Sequence, residues 1–446
     1  MHAPRRLLPV LAIVLLLSAC APLSSGNSAQ VASSTPTQKA TNTISPSSTP
    51  TSSAIAVCPT SSTDCLTPYD MRVAYSVQSL LERGFTGKGQ TIVDIVSYGS
   101  PTLQQDMDTF DQQFGLTPIT IKILSPLGTQ PVDHPSTKDV AGWAEETTLD
   151  VQIIHAIAPD AGIVVLTSPV DETEGTIGLP QFLQLEQYAI SNHLGTIISQ
   201  SFGASEVTLN NANGKQEIQK WDAFFKQATT QQGITFFASS GDNGATDYSD
   251  LKATQLSPTP TTSFPTDDPW VSSVGGTSLE RNGTAFQETV WNSNGGASGG
   301  GFSVFFSTPS YQKTLPTTVQ NQLNNRRGVP DIAGDADPST GLAIYSDGGW
   351  TLGGGTSASA PLWAAFMAIA NQMAGHPLGF INPTLYKLAA SSAYTQDFHD
   401  ITTGDNSVNR DGVQGYPAVT GWDPVTGLGT PVLDKLLPDL IASMHG

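Results

Sequence analysis

A run of glycines, Gly353-Gly354-Gly355, leads into Thr356-Ser357-Ala358-Ser359-Ala360-Pro361. Leu362, Ala365, Phe366, Ile369, Ala370 and Met373 follow at helical spacing, so the segment after Ser357 reads as a buried helix with a serine at its N-terminus. Backbone N–H groups and the positive end of the dipole at such an end stabilise an oxyanion forming beside the hydroxyl, which is the setting of a nucleophile. The same serine would also suit an N-cap after a glycine loop. Glu146 and Asp150 stand four residues apart in the segment 143–158, which reads as a helix ending near Pro159. The face they share continues through Ile153 and Ile157, so the two carboxyls would be partly buried, share a proton and supply a general base in acid. An ordinary solvated acidic face fits the same spacing. Asp242, in the glycine turn Ser239-Ser240-Gly241-Asp242-Asn243-Gly244, either caps backbone or, while protonated, donates to an oxyanion. Histidine, the usual base for a serine, is missing: none of the seven stands in a His-Gly-Thr setting.

The elements that must position these groups alternate. Strand-like runs cover 91–96, 163–166, 196–199, 234–238, 271–274 and 342–345, with helical patterns such as 182–191 and 217–231 between them. Several runs are apolar throughout, as central parallel strands are. The expected fold is α/β, one large catalytic domain built on a parallel sheet with helices on both faces. In such sheets sites gather at the carboxyl ends of strands, where Ser201 and Ser240-Gly241-Asp242 fall.

The first 20 residues read as an export signal. Arg5 and Arg6 precede an apolar run, 7–17, too short to span a bilayer, and Leu17-Ser18-Ala19-Cys20 resembles a bacterial lipobox with Cys20 as the lipidated residue. Residues 21–57 are Ser/Thr/Pro-rich and read as a disordered tether with a reach of roughly 35 Å. The chain is thus expected to be exported, held on the outer face of the cell envelope or released outside. Cys58 and Cys65, the other cysteines, are most simply a local disulfide at the start of the domain 58–446. With 19 basic against 38 acidic residues the net charge of −19 argues against nucleic acid or anionic lipid as partners, leaving the lipid anchor as the only membrane contact. A chain with few basic groups also avoids large positive charge in acid.

Taken together these residues name a family. The chain resembles the sedolisins, serine-carboxyl peptidases with a subtilisin-like fold, through Glu146-Thr147-Thr148-Leu149-Asp150, Ser239-Ser240-Gly241-Asp242, Ser298-Gly299-Gly300-Gly301, Arg327-Gly328-Val329-Pro330-Asp331, Gly355-Thr356-Ser357-Ala358-Ser359-Ala360-Pro361 and Gly421-Trp422-Asp423-Pro424. The resemblance implies Ser357 as nucleophile, Glu146 as the base in place of histidine, Asp150 as its coupled partner and Asp242 as oxyanion donor. It implies a monomeric endopeptidase acting on extended or unfolded polypeptides. A tripeptide-releasing exopeptidase and a catalytically silent lipoprotein are the alternatives. It implies one structural calcium ion held by Asp400 and Asp423 with the carbonyls of Ile401, Val419 and Gly421, oxygen ligands that suit a hard cation. It also implies a substrate cleft lined by Ser201, Gly203, Ser298, Gly299 and Gly300, where glycines admit a peptide backbone.

The sequence departs from the family in three places. The tether stands where members carry a folded propeptide, so folding is expected to proceed unaided or with a separate partner. Phe202 stands where some members have Trp and Val96 where some have Glu, so an extended proton relay is expected to be absent. Val419 replaces a glycine of the calcium loop, which a backbone ligand tolerates.

Overall fold

Five β-branched residues, with one aspartate among them and a serine at the end, form Thr91–Ser97 (β1), the strand around which the sheet is laid. The other strands are Lys122–Leu124 (β2), Gly162–Ser168 (β3), Ile197–Gln200 (β4), Thr235–Ser239 (β5), Ser272–Asn282 (β6), Ala285–Val290 (β7) and Ile332–Asp335 (β8). Their order is β8-β6-β5-β4-β1-β3-β2, all parallel, with β7 antiparallel on β6. This is the expected parallel α/β sheet. The computed structural model describes residues 58–60, 65–171, 174–408 and 412–444. The export signal, Cys20 and the tether lie outside the described residues. Cys58 and Cys65 are joined by a disulfide.

The helices that matter to the site are Leu103–Phe114 (α1), Thr137–Ile157 (α2), Leu179–Ser191 (α3), Ala212–Gln232 (α4) and Thr356–Ala374 (α5). Side chains alternate across β1. Ile92 and Val96 join Leu149, Ile153 and Ile157 of α2 and Leu362, Phe366 and Ile369 of α5 in one core. Val93 and Ile95 join Phe182 and Leu185 of α3 and Trp221 and Phe225 of α4 in the other. A strand buried on both faces needs no polar side, which is why these runs read as apolar throughout. Helix α5 is buried from Ala358 to Asn371 and so is apolar all round.

Helix α2 starts with a capping box, in which Ser136 Oγ accepts from Asp139 N and the Asp139 carboxylate accepts from Ser136 N. Its two halves differ. The first is surface, whereas every residue from Thr147 to Ile157 is buried, not a stripe alone. Two expectations about strands change. The run 342–345 is not in the sheet but forms the hairpin Ala343–Ser346 with Gly349–Leu352, clamped to α2 by both amide atoms of Gln152 on Tyr345. The sheet's edge is instead β8, whose Gly334 and Asp335 gave no apolar signal. The buried ion pair of Arg327 with Asp331 stands just ahead of β8 and ties it to β6, because Asp331 also accepts from Ser273 N at 2.9 Å.

Candidate active site

Gly355 caps α5 with φ +84°, a conformation that disfavours any side chain, and a Cβ there would lie 2.7 Å from Asp242 Oδ2. The glycine therefore lets the carboxyl of Asp242 close against the helix start. Ser357 follows within the first turn. Pro361, four residues on, has no N–H to offer the Ser357 carbonyl, and Ser201 Oγ takes that role at 3.2 Å. The proline thus opens a socket that brings the end of β4 onto the serine's own peptide.

The Ser357 hydroxyl lies beside the Glu146 carboxyl, close enough to bear on its pKa. Part of Glu146 faces the cleft, while its Oε1 is shielded and has no hydrogen-bond partner among the described residues. Burial, then the charges of Asp242, Asp94 and Glu145, raise its pKa, and the Ser357 hydroxyl opposes the rise. One helical turn deeper, Asp150 is fully buried, 3.3 Å from Ser201 Oγ, which has a single proton to share between it and the Ser357 carbonyl. Burial and the charges of Asp94 and Glu146 hold Asp150 well above the carboxylate range. Like charges this close in a dry site cannot all ionise; the group gives up one proton readily and the next only reluctantly.

Across the serine, Asp242 Oδ1 accepts from Thr356 N and Thr356 Oγ1, both at 2.8 Å. Oδ1 is thereby saturated and Oδ2 is the oxygen left to carry a proton. Packing on one side raises the pKa of Asp242, while the Thr356 donors pull it down. Its edge is open to solvent, so water restrains the rise until a peptide covers the cleft. The site thus places a serine at a helix N-terminus between two carboxyl groups, Glu146 and Asp242.

Three of the glycine-cleft expectations need correction. Ser298 is buried, its Oγ donating to the Val425 carbonyl. The N–H groups of Gly299 and Gly300 are taken by the carbonyls of Gly241 and Gly244. A Cβ on Gly299 would fall 2.1 Å from the Ser240 carbonyl. These residues form a wedge behind the Asp242 turn; they have no free donors for a peptide. Ser201 serves Asp150 and the Ser357 peptide, and Gly203 alone of the five is half-exposed with its N–H uncommitted among the described residues.

At the far end, Gly421 N donates to both oxygens of Asp400 at 3.1 and 3.0 Å, and Val419 N to Asp423 Oδ2 at 3.0 Å. The carbonyls of Ile401, Val419 and Gly421 accept no hydrogen bond among the described residues. Among the described residues no cluster of three or more His, Cys, Asp or Glu suited to a metal occurs. An ion at this loop would rest on two carboxylates and unengaged carbonyls, a hard-oxygen donor set that fits calcium.

Asp94 is the site residue that sequence reasoning missed. It is fully buried on β1, its two oxygens have no hydrogen-bond partner among the described residues, and its charge raises the pKa of Asp150. The available signal was a lone charge inside an otherwise apolar central strand.

No family model matches the chain. It is similar to Kumamolisin of Bacillus sp. (strain MN-32), 35% identical over 385 residues that cover 84% of this chain and 64% of the relative. It is similar to Tripeptidyl-peptidase 1 of Canis lupus familiaris, 32% identical over 316 residues, 66% of this chain and 52% of that protein. The chain therefore spans between about half and just under two-thirds of the length of these relatives. Among solved structures, Pseudomonas sedolisin (serine-carboxyl proteinase), complexed with two molecules of pseudo-iodotyrostatin, matches with a TM-score of 0.70 at 29% identity over 84% of this chain and 97% of that one. Sequence likeness and shared fold agree, and the chain belongs to the sedolisin family of serine-carboxyl peptidases.

Proposed function

We propose that this protein is a serine-type endopeptidase of acidic surroundings that cleaves extended or unfolded polypeptides through an acyl-enzyme. The observation that carries the reading is the Ser357 hydroxyl, at the N-terminus of α5, beside the partly buried carboxyl of Glu146. Glu146 takes the hydroxyl proton as Ser357 Oγ attacks the scissile carbonyl. Charge develops on the carbonyl oxygen between the helix N-terminus and protonated Asp242. Glu146 then returns the proton to the leaving amine, and water releases the acyl group by the same steps in reverse. The base must be ionised while the oxyanion donor stays protonated, so activity requires a carboxyl group of the site to have lost one proton and not the rest. That condition confines activity to acid and mildly acid pH.

The test is hydrolysis of an acid-denatured protein from strongly acidic to neutral pH, with Ser357→Ala beside the wild type. Wild type should show a bell-shaped profile, and the variant should lose activity by at least about four orders of magnitude. A wild type inert at every pH would leave the silent-lipoprotein reading standing. Mass spectra of the products separate internal cleavage from release of tripeptides, the mode that the name of the canine relative describes.

Calcium is proposed as a structural ion at Asp400 and Asp423 with the carbonyls of Ile401, Val419 and Gly421. It would close the long loop between the two carboxylates and takes no part in the chemistry. Treatment with a strong chelator should lower Tm, and calcium should restore it; elemental analysis without metal and an unmoved Tm would remove the ion from the account.

A further inference from the structure

Strand β1 reads Thr-Ile-Val-Asp-Ile-Val-Ser, and its single charged residue is fully buried. Burial of a carboxyl among isoleucines and valines is costly unless something answers it. Ile92 and Val96 lie in the core shared with Leu149 and Ile153 of α2, so strand alternation turns Asp94 toward that helix as well. There it faces Asp150, and neither Asp94 oxygen nor Asp150 Oδ2 has a settled hydrogen-bond partner among the described residues. Neither carboxyl forms an ion pair with Lys, Arg or His among the described residues. From β3 the in-register neighbour is Val165, and from β4 it is Ser199, whose buried hydroxyl also lacks a partner.

We propose that Asp94 is a positioning residue for the reaction: it shares a proton with Asp150 and, through Asp150, sets the orientation and basicity of Glu146. This rests on the peptidase reading above. On this proposal the carboxyl expected to be absent at Val96 is supplied two residues earlier, since residues 94 and 96 lie on one strand face.

Two adjacent buried carboxyls with no cation hold one proton between them, and that proton fixes their mutual orientation. The single negative charge remaining on the pair lies near Glu146, whose other charged neighbours are Asp242 and Glu145. A negative neighbour makes Glu146 a better acceptor for the Ser357 proton. Its pKa rises partly for this reason. Without Asp94, Asp150 becomes an isolated buried acid that stays protonated, and the base weakens.

The test compares Asp94→Leu and Asp94→Asn with wild type in steady-state hydrolysis across pH, with Tm of each. Leucine shares the branched shape of aspartate though it is larger, and apolar replacement of buried charge is usually tolerated; Asp94→Ala serves if leucine does not fold. The apolar variants should show kcat lowered about tenfold with KM unchanged, and the acid limb of kcat/KM moved down by about one pH unit. Asp94→Asn can donate a hydrogen bond to Asp150 and should recover to within about threefold of wild-type kcat. An acid limb unmoved in the apolar variants, with Ser357→Ala inactive, overturns the role of Asp94 and leaves the peptidase standing. Asparagine no better than leucine overturns it too. Activity surviving in Ser357→Ala would instead remove the peptidase reading beneath it.

Discussion

Glu146→Gln should lower kcat about a thousandfold while leaving KM within about twofold of wild type. Glutamine has the shape of the acid and can still accept from the Ser357 hydroxyl, so the serine keeps its rotamer and the peptide still binds. What is lost is the capacity to take a proton at the moment Oγ attacks. Glutamine also cannot return a proton to the leaving amine, so both halves of the acyl cycle suffer. No second base stands in reserve, because Asp150 lies a helical turn deeper and Asp242 faces the other side of the serine, held by Thr356. The acid limb of the pH profile should vanish with the carboxyl, since it reports that group. Near-full activity in the glutamine variant would mean that some other group takes the proton. Glu146→Asp distinguishes position from charge: it keeps the acid but withdraws it by one methylene, and should fall between wild type and glutamine.

Stability should rise as pH falls from 7 to 4, the reverse of ordinary acid denaturation, and Glu186→Gln should flatten the curve. Glu186 is fully buried on α3, and burial pushes its carboxyl up to about 8, against the hydrogen bond from Gln200 that pulls it down. A group whose pKa is raised in the folded state contributes stability that is complete below its ordinary value and is lost as pH climbs through the folded one. For Glu186 the window runs from about 4.5 to about 8. At pH 7 the cost of carrying it is of order 3 kcal/mol, at 1.36 kcal/mol for each unit separating its ordinary pKa from that pH. Glutamine removes the titration. Glu186 Oε2 and Gln200 Oε1 are both without partners, and an added N–H at position 186 supplies the donor they lack. Glu186→Gln should therefore gain several degrees in Tm at pH 7 and nothing at pH 4. Parallel Tm–pH curves for the two proteins would refute this assignment. Burial raises Glu174, Asp267, Asp268 and Asp335 in the same direction, so each should add to the rise.

The chemistry was legible where residue type and spacing constrain each other. A serine after three glycines and before an apolar helix, and two acids one turn apart above isoleucines, leave few other uses. Asp94 escaped because a charge inside a β-branched run reads as a flaw in a strand; its partner is 56 positions away and only strand alternation reveals that they share a side. Ser298-Gly299-Gly300 read as an open cleft because glycine signals close backbone approach without saying whose backbone approaches. Here it is the protein's own, at Ser240 and Pro424. The sheet was read from its apolar strands, so β8, with a glycine and an aspartate in four residues, was invisible, while 342–345 looked like a strand of the sheet because a hairpin has the same short-range pattern.

Thr356 has a mechanical meaning. Its N–H and hydroxyl both grip Asp242, and the next residue along the chain is Ser357. On the proposed mechanism, the attacking atom and the acid that answers the resulting charge are therefore referenced to one peptide unit, not to two loops placed independently.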